Sequence, residues 1–265
     1  MPELAELKIM SDFINQNTKN KKVIKSYHVE KGNSPKEFNL FGNLKSESNG
    51  KELILEIDKK SIFVFMGMSG NWKYVDTNNW NQTKYTRLRF DMEDNKSLLL
   101  YGGFMGPKYS VGYPFKSSKR GYDPTKRFED FKNKITDNIH KKVFKKPICE
   151  VLLNQEYFNG IGNYLRSTIL YYLDVNPFES GDVIIKENPK ILDMCKEIPL
   201  KAYKLNGGQL KDWKNPFDYD SKEFDDWVYY QKGYSCKDNL KRTFWFDPKW
   251  EKYCPYLINK RNKNV

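Results

Sequence analysis

The residues most capable of covalent chemistry stand at the start of the chain, which opens with MPELAE. If Met1 is removed, Pro2 carries a secondary amine, and because α-amino groups titrate near pH ~8, a usable fraction is neutral at neutral pH. A neutral amine can attack an aldehyde-like carbon and form an iminium. Glu3 and Glu6 follow at once and supply acid–base groups beside it. The same residues also suit an ordinary helix N-terminus, whose dipole favours early carboxylates, so both interpretations stay open at this point.

A second pattern, FNGIGNYLR at 158–166, lies between two helical stretches, 147–158 and 164–173. Gly160 and Gly162 permit tight turns between these helices. Asn163 then lies at the N-terminus of the second helix, where unsatisfied backbone amides can bind a phosphate. A capped corner inside a helical core would use the same residues.

Three further positions carry binding chemistry. The run KRTFWF at 241–246 places Arg242 at the tip of a predicted hairpin, where a guanidinium can hold a phosphate through two hydrogen bonds. Lys51 follows a turn at the start of a predicted strand, and Met68 lies in the glycine-rich turn 65–70. An amphipathic hairpin, a solvated lysine and a packed methionine are the plain alternatives.

Composition narrows the possible functions. The chain has 265 residues, and its 46 Lys and Arg against 34 Asp and Glu give a net charge of +12, which favours nucleic acid or another polyanion as partner. No apolar run reaches the ~18 residues of a membrane span and no signal peptide opens the chain, so we expect a soluble intracellular protein without a membrane partner. Four scattered cysteines and two histidines lack the paired spacing of a zinc site and argue against metal or a Ser–His–Asp site.

Hydrophobic periodicity predicts the elements that must position these residues. A helix is expected over 3–16, followed by short strands between 21 and 115 that suggest a β-sandwich. The basic stretch 117–124 is expected to be a linker. Beyond it we expect helices over 128–173 and 189–205, a two-stranded hairpin within 227–250, and a basic tail.

Taken in order along the chain, these motifs resemble the Fpg/Nei family of bifunctional DNA glycosylases over almost the whole length. The motifs that carry the resemblance are the start Pro2-Glu3-Leu4 with Glu6, Gly50-Lys51-Glu52-Leu53, Met66-Gly67-Met68-Ser69-Gly70, Leu153 through Arg166, and Lys241-Arg242-Thr243-Phe244-Trp245-Phe246. The last two look closest to the Nei-like (endonuclease VIII-like) branch, in which a "zincless finger" keeps the shape of a zinc ribbon without its ligands.

The resemblance implies an α+β fold. An N-terminal helix plus β-sandwich would form a catalytic domain over 1–120. A helical domain with a helix–two-turn–helix motif would span 121–225, and a zincless β-hairpin finger with a basic tail would span 226–265. It also implies excision of oxidised bases (pyrimidines, formamidopyrimidines and hydantoins) and cleavage of abasic sites by β,δ-elimination, within base excision repair.

The resemblance assigns a role to each candidate residue. Pro2 is the expected nucleophile and Glu3 the general acid, with Glu6 in support. Lys51 and Arg242 join the catalytic set because they hold phosphates near the lesion; Asn163 is a further phosphate contact and Met68 the residue that fills the space left in the duplex. No cofactor is implied, and the expected partner of a monomeric enzyme is damaged DNA, double-stranded and also single-stranded.

One loop departs from the family pattern. Family members often carry an Arg-Phe pair as additional void fillers, whereas the corresponding loop reads GGFMG at 102–106. Selectivity for the base opposite the lesion is therefore open. The alternative functions are a non-catalytic protein of the same fold that binds abasic or bent DNA, and a basic protein that binds RNA or a membrane surface.

Overall fold

A computed structural model of the protein describes residues 2–29, 34–103, 105–112, 119–208 and 213–260. The chain forms two compact units, Met1–Ser118 with Tyr203–Lys222, and Lys119–Ala202 with Glu223–Val265. Outside the described residues lie Phe104 of the loop 102–106, part of the predicted linker and most of the predicted tail.

In its described residues, the first unit has one long helix and nine strands. Helix α1 spans Leu4–Thr18, close to the predicted 3–16. The strands are β1 (Lys22–His28), β2 (Lys36–Glu37), β3 (Gly42–Asn49), β4 (Glu52–Ile57), β5 (Lys60–Phe65), β6 (Asn71–Asp76), β7 (Thr86–Met92), β8 (Lys96–Tyr101) and β9 (Lys108–Val111). Apolar runs in the sequence predict β1, β4, β5, β7 and β8. Strands β2, β3, β6 and β9 are not predicted, because their sequences are short or largely polar.

These strands form one antiparallel sheet in the order β6-β8-β7-β1-β3-β4-β5-β9, with β2 paired to β1. Two residue pairs, Lys22 with Asn43 and Val23 with Gly42, join β1 to β3. Buried residues from the two halves of the sheet, such as Leu55 of β4 and Phe90 of β7, belong to one hydrophobic core with α1. The predicted sandwich is therefore a continuous sheet whose halves share a core.

Hydrogen bonds fix the direction of α1 on the sheet. The carbonyl of Ser46 accepts from Ser11 Oγ at 3.0 Å, and the carbonyl of Leu44 accepts from Thr18 Oγ1 at 3.3 Å. Later helix residues thus meet earlier strand residues, and α1 runs antiparallel to β3. The N-terminus of α1 is consequently directed toward the loop that follows β3.

The segment Tyr203–Lys222 belongs to the first unit although it follows the long helices in sequence. Trp213 is buried in the first unit's core, and the ring of Phe217 packs edge-on against Phe13 at 5.2 Å between centroids. Asn71 Nδ2 also donates to the Lys214 carbonyl at 2.8 Å. The domains predicted from sequence are continuous stretches with boundaries at 120/121 and 225/226. The contacts above instead join a late segment of the chain to the N-terminal core.

The second unit is mainly helical. Its elements are α2 (Phe128–Asn138), α3 (Ile148–Val151), α4 (Asn163–Leu173), α5 (Gly181–Glu187), α6 (Lys190–Lys204), α7 (Lys222–Trp227), β10 (Tyr234–Lys237), β11 (Thr243–Phe246) and β12 (Ile258–Asn259). The helix expected over 147–158 is one turn long, and hydrogen-bonded turns such as Phe158 N to Asn154 O continue from it. The expected hairpin forms from β10 and β11, and β12 adds a third strand.

Within the described ranges, none of the helices combines the length and the apolar character that crossing a bilayer requires.

Candidate active site and nucleic-acid contacts

Two buried carboxylates mark the start of α1. Pro2, Glu3 and Glu6 are all buried, and Glu6 is 0% exposed. Glu6 Oε2 accepts from the Glu3 backbone N–H at 2.8 Å as part of a capping box. Burial of two carboxylates is unusual without partners, so this helix start is more than a surface cap.

The second oxygen of Glu6 binds a distant segment. Glu6 Oε1 accepts from the Gly208 backbone N–H at 3.0 Å. Gly207 has a φ of +67°, and a Cβ there would lie 2.9 Å from the same oxygen, so glycine suits this approach best. The sequence did not predict this contact between Glu6 and Gly208. The only local feature that could have indicated it is the Gly207-Gly208 pair after a helical stretch.

Lys51 lies in the two-residue loop between β3 and β4, where Asn49 pairs with Glu52. Gly50 occupies the first loop position with a φ of +58°, as tight hairpin loops require. Lys51 is 6% exposed, so the alternative of a solvated lysine is wrong. Because Glu52 also pairs with Phe65, this loop and the turn after β5 lie at the same end of the sheet.

That turn carries Met68, which is half-buried. The Met68 N–H donates to the Met105 carbonyl at 2.9 Å, and a Cβ on Gly67 would lie 2.2 Å from that carbonyl. Met105 has a φ of +50° and is 62% exposed. The loop that lacks arginine therefore presents an exposed thioether beside Met68, a residue that sequence reasoning passed over.

In the second unit, Asn163 is the first residue of α4, as predicted. Its side-chain Nδ2 donates to the Thr243 carbonyl at the start of β11 at 2.8 Å. Its Oδ1 accepts from Arg166 Nη2 at 2.8 Å. The helix N-terminus and the hairpin are thus joined through the Asn163 amide.

Arg242 lies in the turn between β10 and β11 and its side chain is exposed. Asp238 organises this turn, since its Oδ1 accepts from the backbone N–H of Leu240 at 3.0 Å and of Arg242 at 2.8 Å. An exposed guanidinium on a fixed backbone is suited to binding a phosphate.

Three of the four cysteines are buried. Among the described residues no three His, Cys, Asp or Glu side chains are grouped as metal ligands. Cys236 and Cys254 hydrogen-bond one another, and burial raises the pKa of both thiols. Cys149 is buried, and burial raises the pKa of its thiol to about 12. These cysteines are therefore protonated at neutral pH.

The first unit accordingly gathers Pro2, Glu3 and Glu6 at one helix end and places Lys51 and Met68 at one end of the sheet. The second unit brings Asn163 next to the hairpin that carries Arg242. Each of these sites is positioned by contacts within its own unit.

Comparison with known proteins gives the following similarities. The family model "Formamidopyrimidine-DNA glycosylase N-terminal domain" matches residues 1–102. Endonuclease 8-like 1 from Mus musculus is 28% identical over an alignment of 288 positions. The alignment covers 93% of this chain and 72% of the relative. Formamidopyrimidine-DNA glycosylase from Wolbachia pipientis subsp. Culex pipiens (strain wPip) is 27% identical over 231 residues, covering 82% of this chain and 83% of that protein.

Two solved structures share the fold. The LlFpg protein in complex with THF-DNA and an inhibitor superposes with a TM-score of 0.74 at 20% identity, covering 94% of this chain and 99% of that one. The MutM (Fpg) protein from Thermus thermophilus superposes with a TM-score of 0.75 at 16% identity, covering 96% and 100%. The α+β fold class expected from sequence is thereby confirmed.

Proposed function

Because the chain belongs to the Fpg/Nei family of DNA glycosylases, we propose that it excises oxidised bases from DNA and then cleaves the strand at the abasic site. The proposed substrates are oxidised pyrimidines, formamidopyrimidines and hydantoins. The single observation that carries this proposal is the start of α1. There Pro2 is followed by two buried glutamates, and the Glu6 carboxylate accepts a hydrogen bond from the Glu3 backbone N–H.

The chemistry proceeds through the Pro2 amine. With Met1 removed, the neutral nitrogen attacks C1′ of the damaged nucleoside and the C1′–base bond breaks. The base leaves with the proton that the Pro2 nitrogen gives up, so a neutral C1′–nitrogen adduct remains. Glu3 protonates the sugar ring oxygen, so the ring opens and a C1′ iminium forms. Loss of a C2′ proton expels the 3′ phosphate, a second elimination expels the 5′ phosphate, and water releases the sugar remnant from Pro2.

Glu6 supports this chemistry by holding the backbone beside Pro2. Its carboxylate holds the Glu3 backbone N–H at 2.8 Å and the Gly208 N–H at 3.0 Å. Both donors are buried backbone N–H groups, which require an acceptor. Glu6 therefore fixes the residue next to the nucleophile and the segment beside it.

Contacts to DNA come from residues in both units. Lys51, Asn163 and Arg242 are proposed to bind phosphates around the lesion, which fix position without reading sequence. A base must leave the stack before C1′ can be attacked. Met68, with the exposed Met105 beside it, is proposed to fill the vacated space, because apolar side chains inserted between base steps stabilise an opened duplex.

Borohydride trapping tests the nucleophile directly. Reduction during reaction with abasic DNA should link the DNA to the N-terminal proline, and peptide mass spectrometry should map the adduct to Pro2. The Pro2→Gly variant should lose most strand cleavage. A matched protein that retains Met1 should not be trapped, although it should still bind the DNA.

An adduct on an internal lysine would refute the role of Pro2. Binding of abasic DNA by the protein with a free Pro2, without trapping or excision, would instead support the alternative of a non-catalytic binder of abasic or bent DNA.

A further inference from the structure

A buried ion pair connects the N-terminus of α4 to the hairpin turn. Arg166 Nη1 lies 2.7 Å from Asp238 Oδ2, and both side chains are 0% exposed. Arg166 also donates from Nη1 to the Cys149 carbonyl at 2.8 Å, and its guanidinium carbon lies 4.9 Å from the centroid of the Phe244 ring. No local pattern in the sequence connects Arg166 with Asp238, because the two lie 72 residues apart.

Each partner of this pair holds one of the candidate phosphate contacts. Arg166 Nη2 donates to Asn163 Oδ1 at 2.8 Å, which orients the amide so that its Nδ2 group faces the hairpin and donates to the Thr243 carbonyl. Asp238 Oδ1 accepts from the Arg242 backbone N–H at 2.8 Å. A chain of hydrogen bonds therefore runs from Asn163 through the ion pair to Arg242.

The turn itself needs such support. Lys241 has a φ of +57°, a conformation that costs free energy for a residue with a side chain. The backbone closes the turn with bonds from Asp238 N to Arg242 O at 3.1 Å and from Lys241 N to Asp238 O at 2.8 Å. Asp238 is thus bonded to the turn through its carboxylate, its N–H and its carbonyl, and the described part of the finger has no cluster of metal ligands.

We propose that Arg166 and Asp238 are positioning residues that set the spacing between Asn163 and Arg242, so that both can bind phosphates of one DNA molecule. This inference rests on the proposed function, because it assumes that Arg242 binds a phosphate. A buried ion pair is weak evidence for stability, since well-packed apolar residues of similar volume can replace it at little cost. Its role in placing the hairpin can therefore be separated from its role in folding.

The test replaces both partners together. The double variant Arg166→Met/Asp238→Leu removes the buried charges as a pair. It also removes the partners of the Cys149 carbonyl and of the Leu240 and Arg242 N–H groups, so its urea midpoint should lie below that of the wild type. Binding is therefore compared under conditions in which both proteins are folded, as circular dichroism shows. The affinity of the double variant for duplex DNA that contains a tetrahydrofuran abasic analogue should fall about ten- to hundredfold, as expected when charge-assisted phosphate contacts are lost. The plot of log K against log salt concentration should become shallower by about one unit or more.

Arg242→Ala is the reference for this measurement. If the ion pair acts through Arg242, adding Arg242→Ala to the double variant should lower affinity much less than it does in the wild type, because residues in one network are not additive. In the double variant, KM should rise by a larger factor than kcat falls, because the displaced groups act mainly on DNA binding. The matched control, Lys145→Met/Asp182→Leu, removes another ion pair of the same unit. Adding Arg242→Ala to this control should lower affinity as much as it does in the wild type.

The outcomes separate the two proposals. If Arg242→Ala changes neither affinity nor the salt slope, the assumed phosphate contact fails, and with it this part of the proposed function. If Arg242→Ala weakens binding but the double variant binds with wild-type affinity and slope, the positioning role is refuted. Should the double variant not fold, Arg166→Lys is the test. Lysine keeps the charge beside Asp238 but lacks the forked donors that reach Asn163. Wild-type affinity and salt slope in Arg166→Lys would overturn the inference.

Discussion

The contact between Glu6 and Gly208 leads to a quantitative prediction for Glu6→Ala. The carboxylate accepts from two buried backbone N–H groups, those of Glu3 at 2.8 Å and Gly208 at 3.0 Å. Each donor left without an acceptor costs about 1–3 kcal/mol, so Glu6→Ala should lower the free energy of unfolding by about 2–6 kcal/mol. Glu6→Gln keeps one acceptor oxygen and should lose about half as much.

Hydrogen exchange measures this effect locally. The Gly208 amide should exchange faster in Glu6→Ala because it loses its carboxylate acceptor, and urea denaturation should give the loss of overall stability. Excision should slow as well, because Glu3 loses the hydrogen bond that fixes its backbone beside Pro2.

Asp12→Ala is the matched control on the same helix. Asp12 also contacts the late segment, through Tyr203 Oη at 2.8 Å, but its side chain is 32% exposed. Partly exposed polar contacts are worth at most about 1 kcal/mol, so Asp12→Ala should be mild. Equal losses in Glu6→Ala and Asp12→Ala, or unchanged Gly208 exchange, would show that the buried carboxylate does not hold the segment.

Three further predictions concern other parts of the molecule. Met68→Ala should slow excision from duplex DNA more than from single strands, and rates opposite A, C, G and T should differ by less than about tenfold, because a thioether reads no hydrogen-bond pattern; strong opposite-base selectivity in steady-state assays would contradict this. Hydrogen bonds from Lys145 and Ser180 lower the pKa of Asp182 to about 2, so Asp182 adds stability above its ordinary pKa near ~4 that is lost as the pH falls toward 2. Asp182→Asn should therefore lower the urea midpoint at pH 7 but hardly at pH 2, and an equal loss at both would contradict the ionic origin. Purified protein should contain well under one zinc per chain and keep its activity in chelator, as elemental analysis and excision assays would show.

Much of the candidate site could be predicted from sequence because it depends on local chemistry. An N-terminal proline followed by two glutamates defines a possible nucleophile with acid–base neighbours wherever the helix packs. Gly160 and Gly162 define a break between helices, and Asn163 begins the next helix as expected. The same holds for strands such as β5 and β8, whose apolar runs are long enough to identify them.

The elements that were missed lack a local signal. Strand β3 reads GNLKSESN and is recognised only through its pairing with β4 and its hydrogen bonds to α1. The helix expected over 147–158 ends at Val151, because the chain continues in turns that satisfy its backbone groups. In both cases, backbone partners that are distant or non-repetitive replace the periodic pattern that prediction depends on.

Sequence alone determined which residues can do chemistry, since the reactivity of an amine, a carboxylate or a guanidinium belongs to the side chain. Tertiary structure decided which of these side chains are buried and which distant residues they contact. It buried Lys51, attached Gly208 to Glu6 across 202 residues, and joined Arg166 to Asp238 across 72. Such contacts depend on the path of the whole chain, because a buried polar group takes whichever partner the fold brings within hydrogen-bond distance.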